Sequence, residues 1–125
     1  MYAEIQGKGQ IRAKILKHLS PITTTKIQRA VPFGGRLNFF ERNFAYIITP
    51  VVQGEEKARL EFEPGELAFL PGGSMLCFFL KKTKSQKSMN PLGTLDPGSM
   101  ELLGRTGRGD SLQVTRIVPQ LSPSS

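Results

Sequence analysis

The chain carries one thiol, Cys77, and one imidazole, His18. A cysteine nucleophile needs a polar surrounding and a base within reach. Cys77 stands instead inside Met75-Leu76-Cys77-Phe78-Phe79-Leu80, the most apolar run of the sequence, and reads as a buried core thiol of slow reactivity. His18 has no Asp, Ser or Cys close to it in sequence and reads as a solvated residue at a strand end. One His and one Cys provide no metal-ligand cluster of recognisable spacing, so no metal or other cofactor is expected. Gly104, Gly107 and Gly109 fall in a G-x-x-G-x-G spacing, but neither a Lys-Ser/Thr pair nor a long helix follows, and nucleotide binding is poorly supported. The remaining chemistry is electrostatic. Net charge is +7, the sequence pI is near 9.9, and Lys81, Lys82, Lys84 and Lys87 lie in a stretch to Ser88 that has no apolar residue. This stretch reads as a solvated loop. A polyanion could meet it there, although the chain has no recognisable nucleic-acid motif and nucleic acid is not an expected partner.

The elements that would hold these residues are mostly strands. Thirteen glycines and nine prolines in 125 residues imply many tight turns. Pro64-Gly65 and Pro71-Gly72-Gly73 are turn signals, and they bracket Leu67-Ala68-Phe69-Leu70 ahead of the run at 75–80. Continuous apolar runs of this length fit strands covered on both sides. Gly7-Lys8-Gly9 reads as a hairpin turn, with Ile11, Ala13 and Ile15 alternating against Arg12 and Lys14 in its second arm. Ser20-Pro21 opens a helix, with Ser20 as the N-cap hydroxyl and Pro at the first position. Ile22, Ile27, Ala30 and Val31 form its apolar stripe, and Pro32 ends it. Two strands follow in 36–40 and 44–49. Ala58, Leu60 and Phe62 then alternate in a half-buried strand, 89–95 is a short strand crossed by Pro91, 99–103 is a helical turn, and 111–118 is the last strand. Half of the eight phenylalanines lie between 33 and 44, as the aromatic core of a barrel or a ligand-facing patch. The expectation is a single mainly β domain over 1–118, a compact antiparallel barrel with one main helix at about 21–31, and a flexible tail at 119–125. No run reaches the roughly 18 apolar residues of a membrane span and Met1-Tyr2-Ala3-Glu4 is no signal peptide, so a cytoplasmic location without membrane contact is expected.

The segments 22–32, 35–51, 64–83 and 90–95, in this order, resemble the small prokaryotic cyclophilin-like domains, a reduced form of the peptidyl-prolyl isomerase barrel. The most specific piece is Pro64-Gly65-Glu66-Leu67-Ala68-Phe69-Leu70-Pro71-Gly72, followed by Leu76-Cys77-Phe78-Phe79 and then Lys82-Thr83. The resemblance implies a groove on the outer side of the barrel, where the larger cyclophilins hold a proline-containing peptide. The isomerase motif Phe-His-Arg-Ile-Ile falls on Phe44, Ala45, Tyr46, Ile47 and Ile48, so Tyr46 stands in the place of the catalytic arginine. The motif Gln-Phe-Phe-Ile falls on Cys77, Phe78, Phe79 and Leu80, which keeps the proline-pocket phenylalanine as Phe79 and loses the glutamine. Met89 occupies the place of the pocket histidine.

The groove implied in this way is made by Phe44, Tyr46, Met75, Cys77, Phe79, Met89 and Asn90. Isomerisation must weaken a C–N bond whose rotation barrier is about 18–20 kcal/mol, which a donor at the prolyl nitrogen assists. The candidate donors here are Tyr46, which is uncharged, and Arg42, if it reaches in from the preceding turn. The expected function is therefore binding of a small molecule or extended peptide in an apolar groove. Weak prolyl isomerisation is the alternative, and the expected state is a monomer or small homo-oligomer.

Overall fold

A computed structural model of the chain describes residues 1–120. The strands are β1 (Tyr2–Ile5), β2 (Gly9–Ile15), β3 (Phe33–Arg36), β4 (Asn38–Phe40), β5 (Phe44–Ile48), β6 (Arg59–Phe62), β7 (Glu66–Leu70), β8 (Met75–Phe79), β9 (Thr83–Leu95) and β10 (Ser111–Arg116). The helices are α1 (Pro21–Ala30) and the shorter α2 (Pro97–Gly104). All strand pairs in the sheet are antiparallel, in the order β3-β10-β1-β2-β9-β7-β8-β5-β4, with β6 attached to β9 outside this path. The hydrogen-bonded path is open, yet its two end strands are consecutive in the chain. Leu37 alone joins β3 to β4, fully buried, its N–H donating to Asp110 O at 2.7 Å and its C=O accepting from Gly109 N at 2.9 Å. The sheet therefore curls until its ends meet at one residue, a barrel-like form built on a mainly β chain.

The apolar runs are buried on two sides, as their lack of alternation requires. Ala45, Ile47, Leu67, Phe69, Leu76 and Phe78 turn inward to the main core, with Ile5, Ile11, Ile15, Leu92, Leu103 and Leu112. The intervening residues Phe44, Ala68, Leu70, Cys77 and Phe79 turn outward, where they form a second apolar cluster with Phe62 and Met89. Period-two alternation thus serves two cores. The outer core exists because β6 and the first half of β9 lie across the barrel wall.

That arrangement corrects the loop expected at 81–88: β9 runs unbroken through 13 residues from Thr83, and Pro91 sits inside it. Thr83 and Ser85 are half-buried among the exposed Lys82, Lys84 and Gln86, so small hydroxyl residues hold the alternation that was sought in apolar ones. Phe33-Gly34-Gly35-Arg36 is a strand paired with β10, so the single strand expected over 36–40 is divided at Leu37 between β3 and β4. Gln120 pairs with Leu16, donating its N–H to Ile15 O at 2.8 Å and accepting from Lys17 N at 2.7 Å. The rest of the expected tail, 121–125, lies outside the described residues.

The helix α1 keeps its expected span but not its expected start. Ser20 makes no side-chain cap; its hydroxyl donates to Glu56 O at 3.3 Å. The cap comes from a distant loop, where the Glu56 carboxylate accepts from Ile22 N at 2.9 Å and from both Thr23 N and Thr23 Oγ1 at 2.8 Å. An anion at a helix N-terminus also meets the positive end of the macrodipole. The buried face is Thr23, Thr24 and Ile27, whereas Ile22, expected on the apolar stripe, is exposed.

Glu56 gives the fold a pH dependence. Burial alone raises its pKa, but the hydrogen bonds from Ile22 and Thr23, with Lys57 nearby, bring it below the ordinary carboxylate value. A depressed folded-state pKa contributes stability that is present above the unfolded-state pKa and is lost as pH falls through the folded one. Glu56→Gln should cost about 1 kcal/mol at neutral pH and flatten the acid limb of stability below about pH 4.5. Urea titrations at several pH values check this; equal acid limbs in both proteins would remove the assignment.

Candidate functional site

The outer apolar cluster is built from aromatic rings on four strands. Phe44 and Phe79 face each other across the β5–β8 ladder, with ring centroids 5.2 Å apart. Phe40, at the end of β4, stacks on Phe44 at 5.4 Å, and Phe62 from β6 stacks nearly parallel on Phe79 at 4.6 Å. Arg59 lies over Phe62 at 4.8 Å and pairs with Glu66. This covers one end of the cluster and leaves the other open. The opening is a cleft of about 340 Å³ between Phe40, Phe44, Leu70, Met75 and Met89 on one side and Thr83–Lys87 on the other, with Glu41 and Asn43 at its rim.

Of the residues implicated by sequence, Phe44, Met75 and Met89 line this cleft. Cys77 and Phe79 belong to the same cluster but are fully buried within it. Tyr46 pairs with Cys77 and is half-buried beside Phe44, at 6.1 Å between rings, next to the lining residues. Asn90 serves another purpose. Its Oδ1 accepts from Glu56 N at 2.8 Å, and its Nδ2 donates to Thr23 Oγ1 at 3.1 Å and Gly54 O at 3.0 Å, tying β9 to α1 and the loop before β6.

Arg42 is turned away from the cleft. The β4–β5 turn is closed by Asn43 N donating to Phe40 O at 2.8 Å, with φ of 50° at Glu41 and 62° at Arg42, the left-handed turn that suits a twisted hairpin. Its twist sends the guanidinium to the carbonyls of Thr106 at 3.1 Å and Gly104 at 3.0 Å, where it closes the end of α2. It also lies 4.1 Å from the ring of Phe39, which packs on the main core, whereas Phe40 and Phe44 point to the cleft.

Sequence reasoning misses Leu70 and Phe62 at this site; it includes Phe40 only among the phenylalanines of 33–44, and 83–87 only as part of the lysine-rich stretch. The signal for Phe40 is present in strand parity, since Phe40 pairs with Phe44 and shares its face. The segment 83–87 gave no apolar signal at all.

Burial pushes the Cys77 thiol far up from its ordinary pKa, which leaves it protonated at any ordinary pH. Thiol reagents at neutral pH should therefore label native protein very slowly and denatured protein at once. Stoichiometric labelling of the native protein within minutes, followed by mass spectrometry, would contradict the buried placement.

The electrostatics around the cleft are mixed. Lys84 and Lys87 stand on one wall and Glu41 at the rim. A broader groove of about 890 Å³ along β6 and β9 is lined by Arg59, Glu61, Glu63, Glu66, Lys82 and Lys84, charges that largely neutralise one another. No helix among the described residues is long and apolar enough to cross a membrane.

Comparison with known proteins bears on the fold. The profile of a family described as cyclophilin-like matches residues 2–113. No curated protein matches the chain. Among solved structures, the chain is similar to a hypothetical protein from Archaeoglobus fulgidus determined in solution, with 23% identity and a TM-score of 0.77, over 93% of this chain and 92% of that one. It is also similar to McbB, solved in complex with tryptophan, with 16% identity and a TM-score of 0.74, over 97% of this chain and 47% of McbB. The chain thus spans about half the length of McbB. At these identities the two structures establish the architecture alone.

Proposed function

The chain belongs to the cyclophilin-like family, and from that premise we propose that it is a binding module whose outer cleft receives the apolar part of a small molecule or extended peptide. The observation that carries this reading is the cleft itself. Its volume of about 340 Å³ is at the small end of the range for ligand sites, roughly 300–1,000 Å³, and it combines an apolar floor of Phe44, Met75 and Met89 with a few polar groups at the rim. Methionines suit such a floor because their flexible, polarisable side chains adapt to different occupants.

The isomerase alternative draws less support. Phe79, the counterpart of the proline-pocket phenylalanine in the resemblance, is covered by the protein's own Phe62. Arg42 is held by Gly104 and Thr106, and Tyr46 brings no charge. Charge-assisted hydrogen bonds are roughly twice as strong as neutral ones, so a tyrosine in the arginine's place is a weak electrophile.

McbB was solved with tryptophan, which makes aromatic amino acids sensible first probes within a wider panel of small aromatics and peptides. A ligand at 100 times its Kd adds about 2.7 kcal/mol of stability, an increase in Tm of several degrees for a domain of this size. The same panel applied to Ser85→Trp, which places a bulky ring in the cleft wall, should give no shift while the urea midpoint stays near wild type. A panel that leaves wild-type Tm unchanged, or shifts that survive Ser85→Trp, would remove the cleft as the binding site.

A further inference from the structure

Five consecutive residues of one strand, Thr83–Lys87, line the cleft. A strand that meets a cavity with one face contributes every second residue. The unbroken run here means that the segment meets the opening with more than one face.

The ladder agrees with this. β6 meets β9 at Thr83, Lys84 and Met89 only, and the residues between, Ser85–Ser88, bulge out opposite Leu60 without a partner in the register. The amide of Lys87 falls back on its neighbour, donating to Ser85 Oγ at 3.2 Å. The other partners of β9, strands β2 and β7, engage it from Asn90 onward. The first half of β9 is thus held by β6 at Thr83–Lys84 and at Met89, and between these points it borders the cleft without a strand partner.

Resting on the reading of this cleft as a binding site, we propose that its occupant is an extended peptide that adds as a strand along Ser85–Ser88. One aromatic or aliphatic side chain of the peptide sits on Phe44, Met75 and Met89, and acidic residues on either side of it meet Lys84 and Lys87. Strand addition supplies affinity through main-chain hydrogen bonds, and a pocket for alternate side chains supplies selectivity. The two lysines act as guards against indiscriminate edge pairing and select against basic partners. A prolyl residue at a pairing position is excluded, because it has no N–H to donate. This separates the proposed ligand from the substrate of a prolyl isomerase.

Three probe peptides test the proposal on the unmodified protein: Ac-Glu-Val-Phe-Val-Glu-NH2, the same sequence N-methylated at both valines, and the same sequence with Pro for the second valine. Calorimetry should show binding of the first, a loss of about tenfold or more on N-methylation, and no gain from proline. Amide hydrogen exchange should show new protection at Ser85–Ser88 with the first peptide alone. Equal affinity for the N-methylated peptide, or binding without protection of these amides, overturns strand addition. Absence of peptide binding while small aromatics still occupy the cleft overturns strand addition and leaves the cleft reading intact; failure of peptides and aromatics alike removes both.

Discussion

Gly93→Ala is expected to lower stability by about 3 kcal/mol or more, at the upper end of what overpacking does. A Cβ placed at Gly93 would lie 1.8 Å from Lys14 O, 2.9 Å from Lys14 C and 3.0 Å from Ile15 Cα. All three are backbone atoms of the paired strand β2, so no rotamer change relieves the clash. Gly93 also stands opposite Ile15 on one side and Leu67 on the other, in the middle of the sheet. The strands must separate, and with them the buried contacts of Ile15 and Leu92. Urea unfolding measures the loss through the midpoint at constant m-value. A variant with the wild-type midpoint would show that β2 and β9 are not this closely paired. By contrast, Gly72, Gly98 and Gly104 have open space where a Cβ would stand, so alanine there serves as a control.

Asn90→Ala should cost about 3 kcal/mol, roughly a 10 °C fall in Tm at this chain length. Asn90 is fully buried and its three hydrogen bonds join β9, the N-terminus of α1 and the loop at 54–56. Its removal takes the buried donor from Thr23 Oγ1 and leaves the part-buried Glu56 N–H and Gly54 C=O without their partner, and a buried polar group left unmet costs about 1–3 kcal/mol. The Glu56 carboxylate that caps α1 is positioned by the same network, so the loss extends to the helix start. Asn90→Ala combined with Glu56→Gln should then cost less than the sum of the two single changes, the mark of a shared network. Full additivity in thermal or urea unfolding would mean that the two residues act separately. Ligand affinity per folded molecule should be little changed in Asn90→Ala, because the side chain does not line the cleft.

The barrel was legible because its signals are local and redundant. Pro-Gly turns stand before β7 and between β7 and β8, and the apolar runs at 67–70 and 75–80 declare burial on both sides. What covers the outer side was not legible. Thr83–Ser88 contains lysines and small polar residues, and its strand state comes from pairing with β6 and from the apolar cluster beneath it. Such tertiary context overrides weak intrinsic preference. The cap on α1 was hidden for a related reason. Ser20 satisfies the local rule, while Glu56, far away in sequence, has the stronger charged acceptor and takes the amides. Family resemblance brought Phe44, Met75 and Met89 to the cleft. It could not foresee that Phe62 lies on Phe79, since that depends on where β6 crosses the barrel.

The meeting of β3 and β4 at Leu37 also bears on how the chain closes up in time. Bringing two segments together costs entropy that rises with the length of the loop between them. The two ends of this sheet are one residue apart, so their approach is almost free of that cost. The expensive pairings lie elsewhere: Tyr2 beside Arg116, Ala3 beside Val114 and Ile15 beside Gly93 join distant parts of the chain. Search time is governed by such remote contacts rather than by those between neighbours. The seam that completes the curled sheet is thus its cheapest junction to form, and the slow events are the arrivals of β9 and β10 on the first hairpin.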